Sequence, residues 1–357
     1  MFGNWFKKEA PFQGLIGFGG GATSLFVKGG TDEDPLGWDV SGGSEYEVGD
    51  YRFHVIRLDT PAPTKNIHFT TAGSPGEVDI LVVAGGGGAG GGDNAYGAGG
   101  GAGGVIMRPG KPVSPGEGPH TIVIGDGGPG QPVDNSNPGT SRKGENTTIA
   151  SAPSPFYYIA KGGGGGAMGA GYSFGVCAEP GGSAGGIGGG ANGCTVTGSA
   201  LQPTQPGESG QYGGGHGASS GGGGGSSGSS TDFNGGAGWQ WPLLPTDAPN
   251  DVVPGEGAGP GPWPGTGGGG GAEIGPTDPS WQYFGGGGSR YPGTGGLGSG
   301  SAAPDPSDPF GSAPAVPGPL FGAEHRGGGG SSATSNNPES WAGDGGSGIV
   351  IFRYKYK

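Results

Sequence analysis

Charge, cysteine and long apolar runs are all scarce in this sequence, and each scarcity removes a class of protein. Only 13% of the 357 residues are charged, and 16 Lys and Arg stand against 29 Asp and Glu, a formal net charge of -13. There is no basic footprint for a phosphate backbone, so nucleic acid is not an expected partner. Two cysteines, Cys177 and Cys194, are too few for the framework of a disulfide-stapled fold. No uninterrupted apolar stretch approaches the roughly 20 residues that cross a bilayer. The first residues, Met1-Phe-Gly-Asn-Trp-Phe-Lys-Lys, place their charges after aromatics and do not read as a secretory signal. Neither export by the general pathway nor membrane insertion is therefore expected.

Chemistry is sparse as well. The histidines at His54, His68, His120, His216 and His325 lack metal-ligand spacing. The acidic spots at Asp32-Glu-Asp34, Asp126 and Asp305 to Asp308 match no calcium-loop pattern and read as solvated turns. No strand-to-helix Gly-x-Ser-x-Gly elbow is present, and Gly-x-Gly-x-x-Gly matches arise by chance in such a composition. The expectation is a non-enzymatic protein with no cofactor and no metal.

What the chain does have is glycine, 99 residues of it, with 34 Pro. Such an excess without a strict period normally reads as low complexity. Disordered chains are poor in aromatics and rich in charge, whereas this one carries 7 Trp, 14 Phe and 11 Tyr. A folded protein without a conventional oily core is the better reading.

The organisation follows from pattern. Residues 1–30 mix Trp5, Phe6, Phe12, Phe18 and Phe26 with Gly and read as an arm that anchors by docking. Residues 31–83 read as a small β domain: Tyr51, Phe53 and Val55 alternate on one face, Ile67 and Phe69 mark a second strand, and Val78 to Val83 a buried one. Residues 84–348 hold glycine runs at 85–92, 97–104, 162–166, 181–190, 221–225, 267–271, 285–288 and 327–330, separated by idiosyncratic segments. Short strands are predicted there at 105–107, 121–124, 146–149 and 157–160. Residues 349–357 alternate Val350, Phe352, Tyr354 and Tyr356 against Arg353, Lys355 and Lys357, which predicts a closing strand paired with Val78–Val83.

Poly-glycine folds only if its backbone is satisfied. An extended helix of three residues per turn has no internal hydrogen bonds, so several must pack side by side and exchange them, and every position facing a neighbour excludes a Cβ. The predicted fold is thus mostly β and irregular: a small strand region clamping a sandwich of packed polyglycine II helices with long variable loops. Ala89, Ala98, Ala102, Ala167 and Ala184 within the runs are expected on the outside of the slab or at its strand-like end. A straight run of about ten residues spans about 30 Å, and a disulfide needs Cα atoms within about 7 Å. If 181–190 is one straight leg, Cys177 and Cys194 are not bridged, which is the expectation.

Asp79-Ile-Leu-Val-Val-Ala-Gly-Gly-Gly-Gly88, Thr121-Ile-Val-Ile-Gly125, the 162–166 run after Tyr157-Tyr-Ile-Ala, and Gly345-Gly-Ser-Gly-Ile-Val-Ile-Phe-Arg-Tyr354 together resemble the glycine-rich repeat structural and adhesin proteins of tailed phages, especially those infecting marine cyanobacteria. The pattern is also similar to the polyglycine II tip adhesins on long tail fibres of T-even-like phages. That resemblance implies a virion protein of the tail or a surface appendage, held to other virion proteins by its N-terminal arm and binding a host glycan or outer-membrane protein. Homo-oligomerisation is compatible with it. The receptor-binding candidates are the loop aromatics Trp239, Trp241, Trp263, Trp281, Tyr283, Phe284, Tyr291 and Trp341, because aromatic faces stack on sugars and anchor interfaces. Two readings of these side chains stay open: they contact a ligand, or they form small local cores that glycine cannot supply. The alternative function is a purely structural fibre, spike or decoration protein.

Overall fold

The structure, a computed structural model, describes residues 36–60, 65–93, 97–131, 141–150, 157–170, 177–186, 322, 327–332 and 342–357, with short pieces at 210–211, 235–236, 238–240 and 283–284. The predicted arm, with Trp5, Phe6, Phe12, Phe18 and Phe26, lies outside these residues. No helix occurs among the described residues.

Alternation of apolar and polar residues produces strands, numbered here in chain order. They are β1 (Asp39–Ser41), β2 (Ser44–Val48), β3 (Tyr51–Arg57), β4 (Asn66–Thr71), β5 (Glu77–Val83), β6 (Gly92–Asp93), β7 (Val105–Pro112) and β8 (Glu117–Val123). After these come β9 (Thr147–Ala150), β10 (Tyr158–Ala160), β11 (Gly169–Ala170), β12 (Gly210–Gln211), β13 (Trp239–Gln240), β14 (Tyr283–Phe284) and β15 (Ile349–Lys355). Two antiparallel sheets of five main strands dominate. One runs β1-β4-β8-β9-β10 and the other β7-β5-β15-β3-β2, with the two-residue β12 added beside β7. The chain passes from the first sheet to the second at Gly42-Gly43, where both residues have positive φ and a Cβ on Gly42 would overlap the Asn66 carbonyl.

The predicted pairing of the closing strand is observed. Phe352 of β15 lies opposite Ile80 of β5 on one side and His54 of β3 on the other. The last strand is therefore central, not an edge. Its Val350, Phe352 and Tyr354 face the first sheet, where they pack with Ile67, Phe69, Ile122, Ile149 and Tyr158. Trp38 closes this layer, with its ring centroid 4.4 Å from that of Tyr354 and 6.5 Å from that of Phe69. Ile349 and Ile351 point the other way and join Phe53, Val55, Leu81, Val83 and Val105 in a second buried cluster. A strand apolar on both faces, like β15 and β5, belongs in the middle of a sheet covered on both sides.

Polar groups buried here are held by specific partners. Asp79 accepts from Arg353 Nη1 at 2.7 Å and from the Gly110 amide at 2.9 Å, and the Arg353 guanidinium lies 3.6 Å from the Tyr51 ring centroid. His54 is buried, with Nδ1 2.7 Å from the Gly42 carbonyl and Nε2 3.1 Å from the Tyr354 hydroxyl. A carbonyl only accepts, so Nδ1 carries the proton and Nε2 accepts from tyrosine. Burial pushes this imidazole below its ordinary range, aided by Arg52 and opposed by the Gly42 hydrogen bond and Glu45. Burial lowers His120 in the same direction.

A histidine held neutral in the folded state contributes full stability above its unfolded pKa near 6.5 and loses it as pH falls toward the lower folded value. Melting temperature should accordingly drop between about pH 7.5 and pH 5, at up to about 1.4 kcal/mol per pH unit for each histidine. His54→Gln should flatten this dependence, which calorimetry at a series of pH values will measure.

Candidate functional site

Glycine runs continue the strands as extended legs. Residues 84–91, 125–131 and 161–168 leave β5, β8 and β10, while 98–104, 142–146 and 342–348 lead back into β7, β9 and β15. None has a backbone–backbone hydrogen bond within itself, so its backbone donors need partners on other segments or on side chains.

The leg 84–91 shows how this is met. Ala84, Gly87 and Gly90 donate to Gly104, Gly101 and Ala98; Gly85 and Gly88 donate to Glu145 and Arg142; Gly86 and Ala89 donate to Gly346 and Gly343. Every third residue meets the same neighbour. Its carbonyls repeat the rule: Gly85 and Gly88 accept from Gly163 and Gly166, Gly86 and Ala89 from Gly128 and Gln131, and Gly87 from Gly330. Six segments thus surround one. The six also bond to each other in a closed ring, through Gly101 to Gly164, Gly100 to Gly330, Gly346 to Gly328, Gly345 to Gly128, Glu145 to Asp126, and Gly144 to Gly163.

Such spacing leaves no room for side chains inside. A Cβ on Gly87 would overlap the Gly164 carbonyl, on Gly88 the Pro129 carbonyl, and on Gly100 the Gly87 carbonyl. Alanines in the runs depart from expectation. Ala89, Ala98, Ala102, Ala167 and Ala184 are all fully buried, and Ala98 and Ala167 pack against Ala178 in a small apolar cluster. A methyl fits at the few directions where no neighbouring backbone stands, and there burial favours it over exposure.

Cys177 also corrects the sequence reading. It is disulfide-bonded; the other cysteine of the sequence, Cys194, lies outside the described residues. Cys177 does not stand at the start of a straight leg: the chain reverses between Glu179 and Gly185, where the Gly185 amide donates back to the Glu179 carbonyl at 3.2 Å. Beside the cysteine sits a residue that pattern reading passed over. Arg142 is completely buried, donating from Nη1 to Gln131 Oε1 at 3.0 Å and from Nη2 to the Cys177 carbonyl at 3.4 Å, while its amide donates to Glu179 Oε2 at 2.8 Å. Burial lowers the Arg142 pKa and the Glu179 carboxylate opposes that shift. Its only sequence signal was a lone cationic pair, Arg142-Lys143, opening a glycine leg.

Residues 62–355 match a glycine-rich domain family. The chain belongs to that family. A comparison with curated proteins finds no match. The glycine-rich domain spans both the strands and the legs, from the loop before β4 to the end of β15.

Of the predicted binding aromatics, the structure places three backbones together: Trp239 lies opposite Phe284 and Gln240 opposite Tyr283 in the β13–β14 ladder. Trp241, Trp263, Trp281, Tyr291 and Trp341 lie outside the described residues. An antiparallel bridge between Ser332 and Ala342 closes the base of the segment containing Trp341.

Two measurements test the bundle. Gly87→Ala should destabilise the protein by about 3 kcal/mol or more through overpacking, whereas Lys143→Ala, at an exposed position, should stay within about 0.5 kcal/mol; thermal melts compare them. Reduction with dithiothreitol should lower stability by about 3 kcal/mol, as loop-closure entropy predicts for a loop of this size, and a melt unchanged by reductant would contradict a structural role for the bond.

Proposed function

We propose that the legs are polyglycine II helices and that the protein is a phage virion component of the tail fibre or tail tip, serving as a host-receptor-binding adhesin. The hydrogen-bond repeat carries the first part. A helix of three residues per turn turns successive donors by a third of a circle, and residues 84–90 donate to three different segments in rotation. At about 3.1 Å per residue these eight residues extend about 25 Å.

The bundle supports display by its connectivity. Legs 84–91, 125–131 and 161–168 run out from the sheets and legs 98–104, 142–146 and 342–348 return, so the segments that join an outgoing leg to a returning one begin at the end away from the sandwich. Loops on a rigid scaffold are where binding residues concentrate. With the resemblance to phage adhesins, this favours contact of Trp239, Trp241, Trp263, Trp281, Tyr283, Phe284, Tyr291 and Trp341 with a host glycan or outer-membrane protein. The N-terminal arm then joins the protein to its neighbour in the virion. Repeated copies on a particle strengthen weak single contacts by multivalency.

Binding of the purified protein to host cells tests this reading, using the intact chain and a variant with Trp239, Trp241, Trp263 and Trp281 changed to Ala, with folding checked by circular dichroism. Saturable binding that falls at least about tenfold in the folded variant supports the adhesin. Absence of binding by the intact protein favours a purely structural fibre, spike or decoration role.

A further inference from the structure

The leg 125–131 lies at the outside of the bundle, with Asp126 and Pro129 exposed. Its Gly128 and Gln131 amides point inward and donate to Gly86 and Ala89. By the threefold rotation its remaining amides, at 126, 127, 129 and 130, face away from the central leg. In the interior such donors meet another glycine leg. Here each is taken out of play: Asp126 donates to Glu145 Oε2 at 3.4 Å, Gly127 to Asp126 Oδ1 at 2.7 Å, Gly130 to Asp344 Oδ1 at 2.6 Å, and Pro129 has no N–H. The carbonyls of Gly127 and Gly130, three residues apart, accept no hydrogen bond from the described residues. Asp126, Glu145 and Asp344 are all exposed.

We propose that this outer leg is a latent interface for a second copy of the chain, held closed by the carboxylates of Asp126, Glu145 and Asp344. The occupant it fits is a glycine-rich leg, because the amides and carbonyls of Gly127 and Gly130, three residues apart, repeat the donor and acceptor spacing that the leg 84–91 offers its neighbours inside. An exposed row of unpaired backbone groups is a template for adding another chain, as at the edge of a β-sheet. Carboxylates occupy the donors, so the lattice ends at this leg. The inference is independent of receptor binding.

Changing Asp126, Glu145 and Asp344 together to Ala removes the acceptors; changing them to Asn, Gln and Asn removes charge but keeps an acceptor oxygen. Sedimentation over a wide concentration range is compared with the unaltered protein, with circular dichroism confirming the fold. The Ala variant should self-associate at least about tenfold more tightly and the amide variant should not. A folded Ala variant that sediments like the unaltered protein overturns the proposal. Equal association of both variants also overturns it, since charge rather than occupied donors would then hold the edge closed. Should the triple Ala variant fail to fold, Asp344→Ala, which opens only the Gly130 donor, is read by the same two outcomes.

Discussion

A backbone without side chains must find all its partners on other segments, and that requirement governs the rest of this molecule. Ordering a glycine costs more conformational entropy than ordering any other residue, about 1–2 kcal/mol for the backbone. It returns no apolar burial. Hydrogen bonds of about 0.5–1.5 kcal/mol each are what remain to offset it, so they must be dense. In the leg 84–91 all eight amides are used. Stability at any one glycine therefore depends on six other stretches of chain being in place, and none of these stretches is a folding unit by itself.

Glycine runs carry no information about axial position, because sliding one by a full turn offers an equivalent set of partners. The two sheets supply what the runs lack. Side chains such as Phe352, Ile80, Phe69 and Trp38 interlock in one register, since a one-residue slip would exchange the two faces of a strand. Each leg inherits its height from the strand it continues. The sandwich is in this sense the ruler of the bundle.

Legibility in the sequence followed the same division. Alternation announced β3, β4 and β15, a buried apolar run announced β5, and the pairing of β5 with β15 was readable because glycine runs abut both. The neighbours of each leg were not readable, as a row of identical residues has no pattern to match. Ala98 and Ala167 were assigned outward from the rule that Cβ is excluded inside, which overlooks the directions where neighbouring backbones leave a methyl-sized gap. The Cys177 bond was missed by placing Cys177 at the start of a straight leg, whereas the chain reverses between Glu179 and Gly185. Asp126 read as a solvated turn, whereas it accepts from the Gly127 amide; that Asp344 accepts from the Gly130 amide, 214 positions away, no local pattern reveals. For the loop aromatics, only the backbone pairing of Trp239 with Phe284 adds to what the sequence offered.

The central place of β15 has a consequence for the order of synthesis. Its residues 349–355 fill the gap between β3 and β5, strands made within the first quarter of the chain. Until residues 349–355 have left the ribosome, those two strands hold facing rows of unmet amides and carbonyls, and the leg that continues β5 has no fixed height. The 265 residues 84–348 separate β5 from β15, and a product that stops before Ile349 lacks the strand that joins the two halves of its sheet.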